Sequence, residues 1–233
     1  MRGRSAAAAL FLLFPWGAVA QDFDAGLEAA KSGNFDKALA EWRPLGDSGD
    51  ARAQYQIGML YRHGRGVGRD HEKAADWFSK AAAKGHAEAQ AEYGNHLLHG
   101  RGVKKNYARA LELFRAASEK GIASAELNLA IMHRYGRGVP RSYARAVIWY
   151  RKAADRGYIP AMDSLGALYQ HGVGVQRDNI RAHKWFNLSS TMGSTMGARH
   201  KRYVEKKMTR DQVAEAERLA LEWMTGFRKR TAK

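Results

Sequence analysis

A 36-residue period runs through this chain without a slip. Gly64-Arg65-Gly66-Val67 recurs as Gly100-Arg101-Gly102-Val103, Gly136-Arg137-Gly138-Val139 and Gly172-Val173-Gly174-Val175. Ala38, Ala74, Ala110, Ala146 and Ala182 share one register. Trp42, Phe78, Phe114, Tyr150 and Phe186 share a second, and Gly49, Gly85, Gly121, Gly157 and Gly193 a third. A unit of this size cannot bury its apolar face alone, so the units must stack on one another.

Each register has a physical task. Asn34, Asp70, Asn106, Ser142 and Asp178 carry side-chain oxygens that accept from the free N–H groups of a helix's first turn. The glycine register follows about fifteen residues later, where a helix can close in a left-handed residue. Between them an alanine and an aromatic fall four apart, on one helix face. Residues 70–84, 106–120, 142–156 and 178–192 therefore read as second helices. First helices run from each register glycine to the next G-x-G, with small and apolar residues such as Ala53, Ile57, Gly58 and Tyr61 on one stripe. Gln54, Gln90 and Glu126 lie beside that stripe with no role assigned by the pattern. The first unit is shorter, with a helix over 23–32, and Pro44 is expected to kink its second helix. After residue 193 the period fails. Residues 194–207 and 209–227 read as two terminal helices, the second opened by a capping box of Thr209 and Gln212.

The expectation is an all-α, right-handed solenoid of antiparallel helix pairs. Its units span about 22–49, 50–85, 86–121, 122–157 and 158–193, and residues 194–233 form capping helices with a basic tail. No stretch alternates apolar and polar residues as a strand would.

The pattern Ala-x-x-x-Ile/Leu-Gly-x-x-Tyr, Gly-x-Gly-Val, Asp-x-x-Lys-Ala-x-x-Trp-Phe-x-Lys-Ala-Ala-x-x-Gly resembles the Sel-like repeat family, a relative of the tetratricopeptide repeats. Residues 50–85 carry it most fully, as Ala53-Gln54-Tyr55-Gln56-Ile57-Gly58 and Trp77-Phe78-Ser79-Lys80-Ala81-Ala82 show. The resemblance covers about residues 22–193. It implies a non-catalytic adaptor that holds partner proteins or peptides.

The first twenty residues read as an export signal. Arg2 and Arg4 precede a short apolar run from Ala6 to Trp16, and Ala18-Val19-Ala20 supplies the small residues before a cleavage expected between Ala20 and Gln21. The run is too short to span ~30 Å of hydrocarbon at 1.5 Å per residue, so no transmembrane span is expected in the mature chain. The destination is the periplasm or the medium.

The chain has 39 Lys plus Arg against 23 Asp plus Glu, and loss of Arg2 and Arg4 leaves 37 minus 23, or +14. Residues 21–85 are balanced at ten acids and ten bases; residues 86–233 carry 13 acids and 27 bases. Arg134, Arg137, Arg141 and Arg145 cluster at one hairpin bend. Such a field favours acidic or envelope-associated protein partners and permits contact with a membrane surface. Nucleic acid fits the charge but not an exported protein.

Catalytic signatures are absent. Zero cysteine excludes disulfides, thiolate metal sites and a cysteine nucleophile. No His-Glu-x-x-His, Gly-x-Ser-x-Gly or Ser-x-x-Lys occurs. The Gly-rich loops follow helices and lack Gly-Lys-Ser/Thr, so they read as hairpin turns with Val67, Val103, Val139 and Val175 packed beneath. His96 and His99 have ligand spacing, but with no supporting carboxylate they read as polar residues at a helix C-terminus, where a cation is favoured. Glu88 and Glu92 read as a solvated pair. No metal or cofactor is expected. A protein that binds peptidoglycan or an anionic glycan, or a wall-active enzyme of the β-lactamase-like kind, stands as the alternative; the exported Sel-like proteins so described are cysteine-rich.

The partner surface is expected on the first helices, opposite the core stripe. Counting 100° per residue assigns Arg52, Tyr55, Met59 and Arg62 to it, then Glu88, Ala91, Asn95 and Leu98. Ser124, Leu127, Ile131 and Arg134 follow, then Pro160, Asp163, Ala167 and Gln170. The mixture of Arg, Tyr, Met and aliphatic residues is that of interface centres.

Overall fold

The computed structural model describes residues 22–232; the expected export signal and cleavage between Ala20 and Gln21 lie outside them. Among the described residues there are twelve helices and no strand. They pair in order: α1 (Phe23–Lys31) with α2 (Phe35–Ser48), α3 (Ala51–His63) with α4 (His71–Ala83), and α5 (Ala87–His99) with α6 (Tyr107–Glu119). Then come α7 (Ala123–Tyr135) with α8 (Tyr143–Asp155), α9 (Ile159–His171) with α10 (Asn179–Thr191), and α11 (Thr195–Glu205) with α12 (Arg210–Thr231). From α1 to α11 each helix packs on its sequence neighbours, as a solenoid requires, whereas α12 returns to pack on α10.

The five expected caps all form, with Asn34, Asp70, Asn106, Ser142 and Asp178 accepting from backbone N–H groups in the first turns of α2, α4, α6, α8 and α10. Pro44 lies inside α2, and the helix continues past it to Ser48.

Inside each unit the helices meet at a ring on a small residue. A Cβ added to Gly58, Gly94 or Gly166 would stand 2.6, 2.8 or 2.7 Å from the ring of Phe78, Phe114 or Phe186. These rings are wholly buried, and burying each contributes about 1.5–3 kcal/mol.

Two further registers tie one helix to the next. Gln54 Nε2 donates to the carbonyl of Gly46 at 2.9 Å, and Gln90 Nε2 to that of Ala82 at 3.5 Å. Glu126, third in that register, has no N–H to give. It is instead met by Arg156 Nε at 3.0 Å and Lys152 Nζ at 3.4 Å. The second register reaches between units: Lys84 Nζ donates to Gly49 O and Lys120 Nζ to Gly85 O, each at 2.5 Å across 35 residues.

The C-terminal pair closes the stack and also reaches back along it. The capping box at Thr209 and Gln212 is present. Both α11 and α12 pack on α10. Glu205 of α11 meets the fully buried His183 of α10 at 2.8 Å. From α12, Trp223 Nε1 donates to Asp155 Oδ1 at 3.1 Å and its ring stacks on Phe227, which lies against Gly157. On α12, Ala216 and Ala220 are buried, and Val213, Leu219 and Trp223 half-buried.

Candidate functional site

Among helices not adjacent in sequence, α5 touches α7 and α9 touches α11. First helices thus approach one another at two places along one side, and at the cap α12 lies on α10. The reach is visible electrostatically. Burial pushes the Tyr158 phenol up, Glu92 pushes it further and Arg62 opposes this, although Tyr158 opens α9 and those charges belong to α5 and α3.

At the N-terminal end of this surface, Tyr55 stacks on His86 with ring centres 4.9 Å apart. Burial first, then Glu92 and Glu88, raise its pKa. Arg62 forms an ion pair with Glu92 on the next unit. The expectation of a solvated Glu88–Glu92 pair is corrected here: Glu92 is engaged by arginine, and Glu88 is exposed beside His86 at 3.3 Å. Arg52 pairs with Asp50 at 2.8 Å and lies 4.5 Å over the Phe23 ring. Met59 is half-buried in a cleft of about 260 Å³ shared with Leu27, Phe35 and His63. Asn95 is half-buried midway.

Three assigned positions are corrected outright. Leu98 is 1 % exposed and Gln170 8 %, so neither faces a partner, and Ala91 is buried too. Their register (62, 98, 134, 170) lies at the helix end that the following unit covers; Leu98 sits in one core cluster with Ala125 and Leu129 of α7. An arginine there can bury its stem and still bring its charged head out, which a leucine cannot do. Arg62 and Arg134 accordingly stay half-buried.

At the C-terminal end, Leu127 and Ile131 are half-buried against the core. Beside them, Arg134, Pro160, Asp163, Ser164, Ala167, Met196 and His200 line an open cleft of about 380 Å³. Asp163 Oδ2 accepts from Ser194 Oγ at 2.7 Å, while Oδ1 is buried without a partner among the described residues. Met196 is half exposed, and His200 stacks on Phe186 at 5.1 Å. The surface thus offers rings and aliphatic side chains flanked by separated charges, a constellation suited to holding a chain.

The histidine expectation at helix ends is reversed. Burial lowers the pKa values of His63, His96 and His99, and neighbouring arginines lower them further. His96 is buried and bonded to the carbonyl of Arg101 at 2.7 Å, whereas His99 is exposed. Among the described residues no three His, Asp or Glu side chains come together as metal ligands.

The Sel1 repeat matches residues 51–86, 87–122, 123–158 and 159–194. The chain belongs to the Sel1 repeat family. Its fold is that of c5321, described as a protective antigen present in uropathogenic Escherichia coli strains and displaying an SLR fold. The two are 33 % identical with a TM-score of 0.82, over 90 % of this chain and 46 % of that one. The chain therefore spans about half the length of that relative. A Sel1 repeat protein from Oxalobacter formigenes is 28 % identical with a TM-score of 0.69, covering 84 % of this chain and 80 % of the other. The immunity protein Pa5087 from Pseudomonas aeruginosa, at 18 % identity and a TM-score of 0.53 over 88 % of this chain and 81 % of its own, shares the fold. No curated protein sequence matches. Sel1 repeat proteins are generally scaffolds for protein interaction. No helix among the described residues is long and apolar enough to cross a membrane.

The pattern missed Glu92, Tyr158 and Ser164 within the Sel1 units, and Met196 and His200 beyond them. Tyr158 could have been found, because its register (86, 122, 158) opens each first helix. Met196 and His200 could not, since they lie beyond the last full period.

Proposed function

We propose that this chain is an exported, non-catalytic adaptor that holds a segment of a partner protein along the first-helix surface, its basic C-terminal half favouring acidic partners. The observation that carries this reading is the juxtaposition of Leu127, Ile131 and Arg134 with the cleft at Asp163, Ala167 and Met196. Apolar side chains of a partner would fill the cleft while Arg134 meets a carboxylate. The apolar run and small residues at 6–20 support export.

The test is a photo-crosslinking residue at Ile131, with the same residue at Ile148, exposed on α8, as control. Cross-linking in an envelope fraction from Ile131 and not Ile148, lost on Arg134→Glu with the helical spectrum intact, supports the reading. Equal capture from both positions overturns it. N-terminal sequencing of the exported protein should begin at Gln21.

A further inference from the structure

Away from the first-helix groove, on the second helices and the G-x-G-V loops, one constellation recurs at the repeat period. Arg115, His133, Arg141 and Arg145 stand 36 residues before Arg151, Tyr169, Arg177 and Arg181. Each set draws one arginine from a second helix, a buried ring from the next first helix, an arginine from the loop and an arginine from the following second helix's first turn. The same places hold Arg43, Tyr61, Arg69 and Lys73 further up the chain, and the cation–ring contact is kept: Lys73 lies 5.6 Å from the Tyr61 ring and Arg181 5.6 Å from that of Tyr169.

In the later set the groups enclose a cleft of about 330 Å³ lined by Arg151, Arg177, Arg181, Tyr169, Gln176 and Asp178. Arg151 donates to the Tyr169 hydroxyl, and Asp178 pairs with Arg181 at 3.3 Å. The earlier set has no such acid, because Ser142 caps α8 where Asp178 caps α10. Residues 127–154 contain no Asp or Glu at all, and Arg115, Arg141 and Arg145 form no ion pair among the described residues. Burial lowers the pKa of His133, and the charges of Arg145 and Arg115 lower it further. The loops themselves stack: a Cβ on Gly138 would meet Tyr107, and one on Gly174 would meet Tyr143, so each loop lies on the preceding unit. Acids do stand under the upper loops, Asp36 and Glu72, but Ala108 and Ala144 replace them below.

We infer that these two basic sets, the later one around its cleft, form a ladder that binds a linear polymer of phosphate groups. Guanidinium forks match phosphate oxygens in pairs. Adjacent units lie on the order of 10 Å apart, so one chain carrying an anionic group at every link can set charges against both sets. A line of basic sets fits a strand better than a sheet of headgroups. The site shares no residue with the adaptor surface and does not depend on it.

The probe is fluorescently labelled linear polyphosphate, long and short, with orthophosphate as competitor. Bridging the two sets should make the long chain bind roughly a hundredfold tighter than the short one. Replacing Arg115, Arg141 and Arg145 by Gln should cut long-chain affinity roughly fiftyfold and so leave only about a twofold length dependence. Replacing Arg228, Lys229 and Arg230 by Gln removes the same charge and should change affinity less than about twofold if screening of distant charges holds. Equal loss from both variants, or no length dependence, overturns the inference. So does binding to phosphatidylglycerol vesicles that matches the polymer and survives the first variant. If the triple variant loses its helical spectrum, Arg145→Gln alone, at an exposed position, should still weaken long-chain binding, and unchanged binding overturns the inference.

Discussion

Arg156 Nε stands 3.0 and 3.1 Å from the two carboxylate oxygens of Glu126, a side chain with no solvent exposure at all. The pair spans 30 residues and replaces the amide that Gln54 and Gln90 supply in the same register. Ser118, also in place of a smaller residue, joins the cluster through Lys152 Nζ at 3.1 Å.

Removing one member should therefore cost more than removing both. Arg156→Ala leaves the buried carboxylate to Lys152 and should destabilise by about 2 kcal/mol, a figure reduced from the fully buried case because the arginine is itself partly exposed. Glu126→Gln in the same chain restores the register's amide and should recover most of that loss. Urea unfolding of the single and double variants decides the matter; additive losses would contradict it.

Glycine at the ring contact admits no methyl group. Gly94→Ala puts a Cβ 2.8 Å from Phe114 and should destabilise by about 1–3 kcal/mol through overpacking, despite alanine's better helix propensity. The fourth unit has Ala130 under Tyr150, so Ala130→Gly should cost only about 1 kcal/mol, from propensity. Thermal unfolding would separate the two.

Acid should weaken the fold through its buried imidazoles. Burial holds the pKa of His96 below 6.5, and His71 of α4, Arg62 of α3 and Arg101 of the following loop lower it further. The unfolded chain binds that proton first, so stability is full above 6.5 and falls as the pH drops toward the folded value. His63, His86, His99 and His133 shift the same way. His96→Leu, the residue found at positions 60 and 168 of that register, should flatten the dependence. Denaturation midpoints at pH 7.5 and about 5 measure it; an unchanged slope would contradict the assignment.

The reach of α12 back to α8 is testable at one residue. Trp223→Ala removes the bond to Asp155 and the stacking on Phe227. It should cost about 2 kcal/mol, below the fully buried tryptophan value because Trp223 is half-exposed. Hydrogen exchange should quicken in 210–231 and at the end of α8, while α3 to α6 remain protected.

The units, caps and turns were legible because each is dictated within one period: an acceptor, an alanine–aromatic pair, a glycine. The site was legible only in part. Counting 100° per residue picks out Tyr55, Leu127 and Ile131, which are half-buried, but it treats each helix as if alone. Leu98 and Gln170 are lost to the surface because a second unit covers them, and the partner of Arg62 lies on that unit. The role of the Gln54 register needed the preceding helix's carbonyls, which no spacing within one helix reveals.

The lysines of the inter-unit register carry a consequence for how such a molecule changes size. Donor and acceptor belong to neighbouring repeats, and the three middle repeats offer both a glycine carbonyl and a long cationic side chain, at Lys84, Lys120 or Arg156, where the first and fifth have Ser48 and Met192. Excising or duplicating a block of 36 residues among these middle repeats leaves each such latch with a mate. The rod can be shortened or lengthened by recombination without any new junction having to be invented.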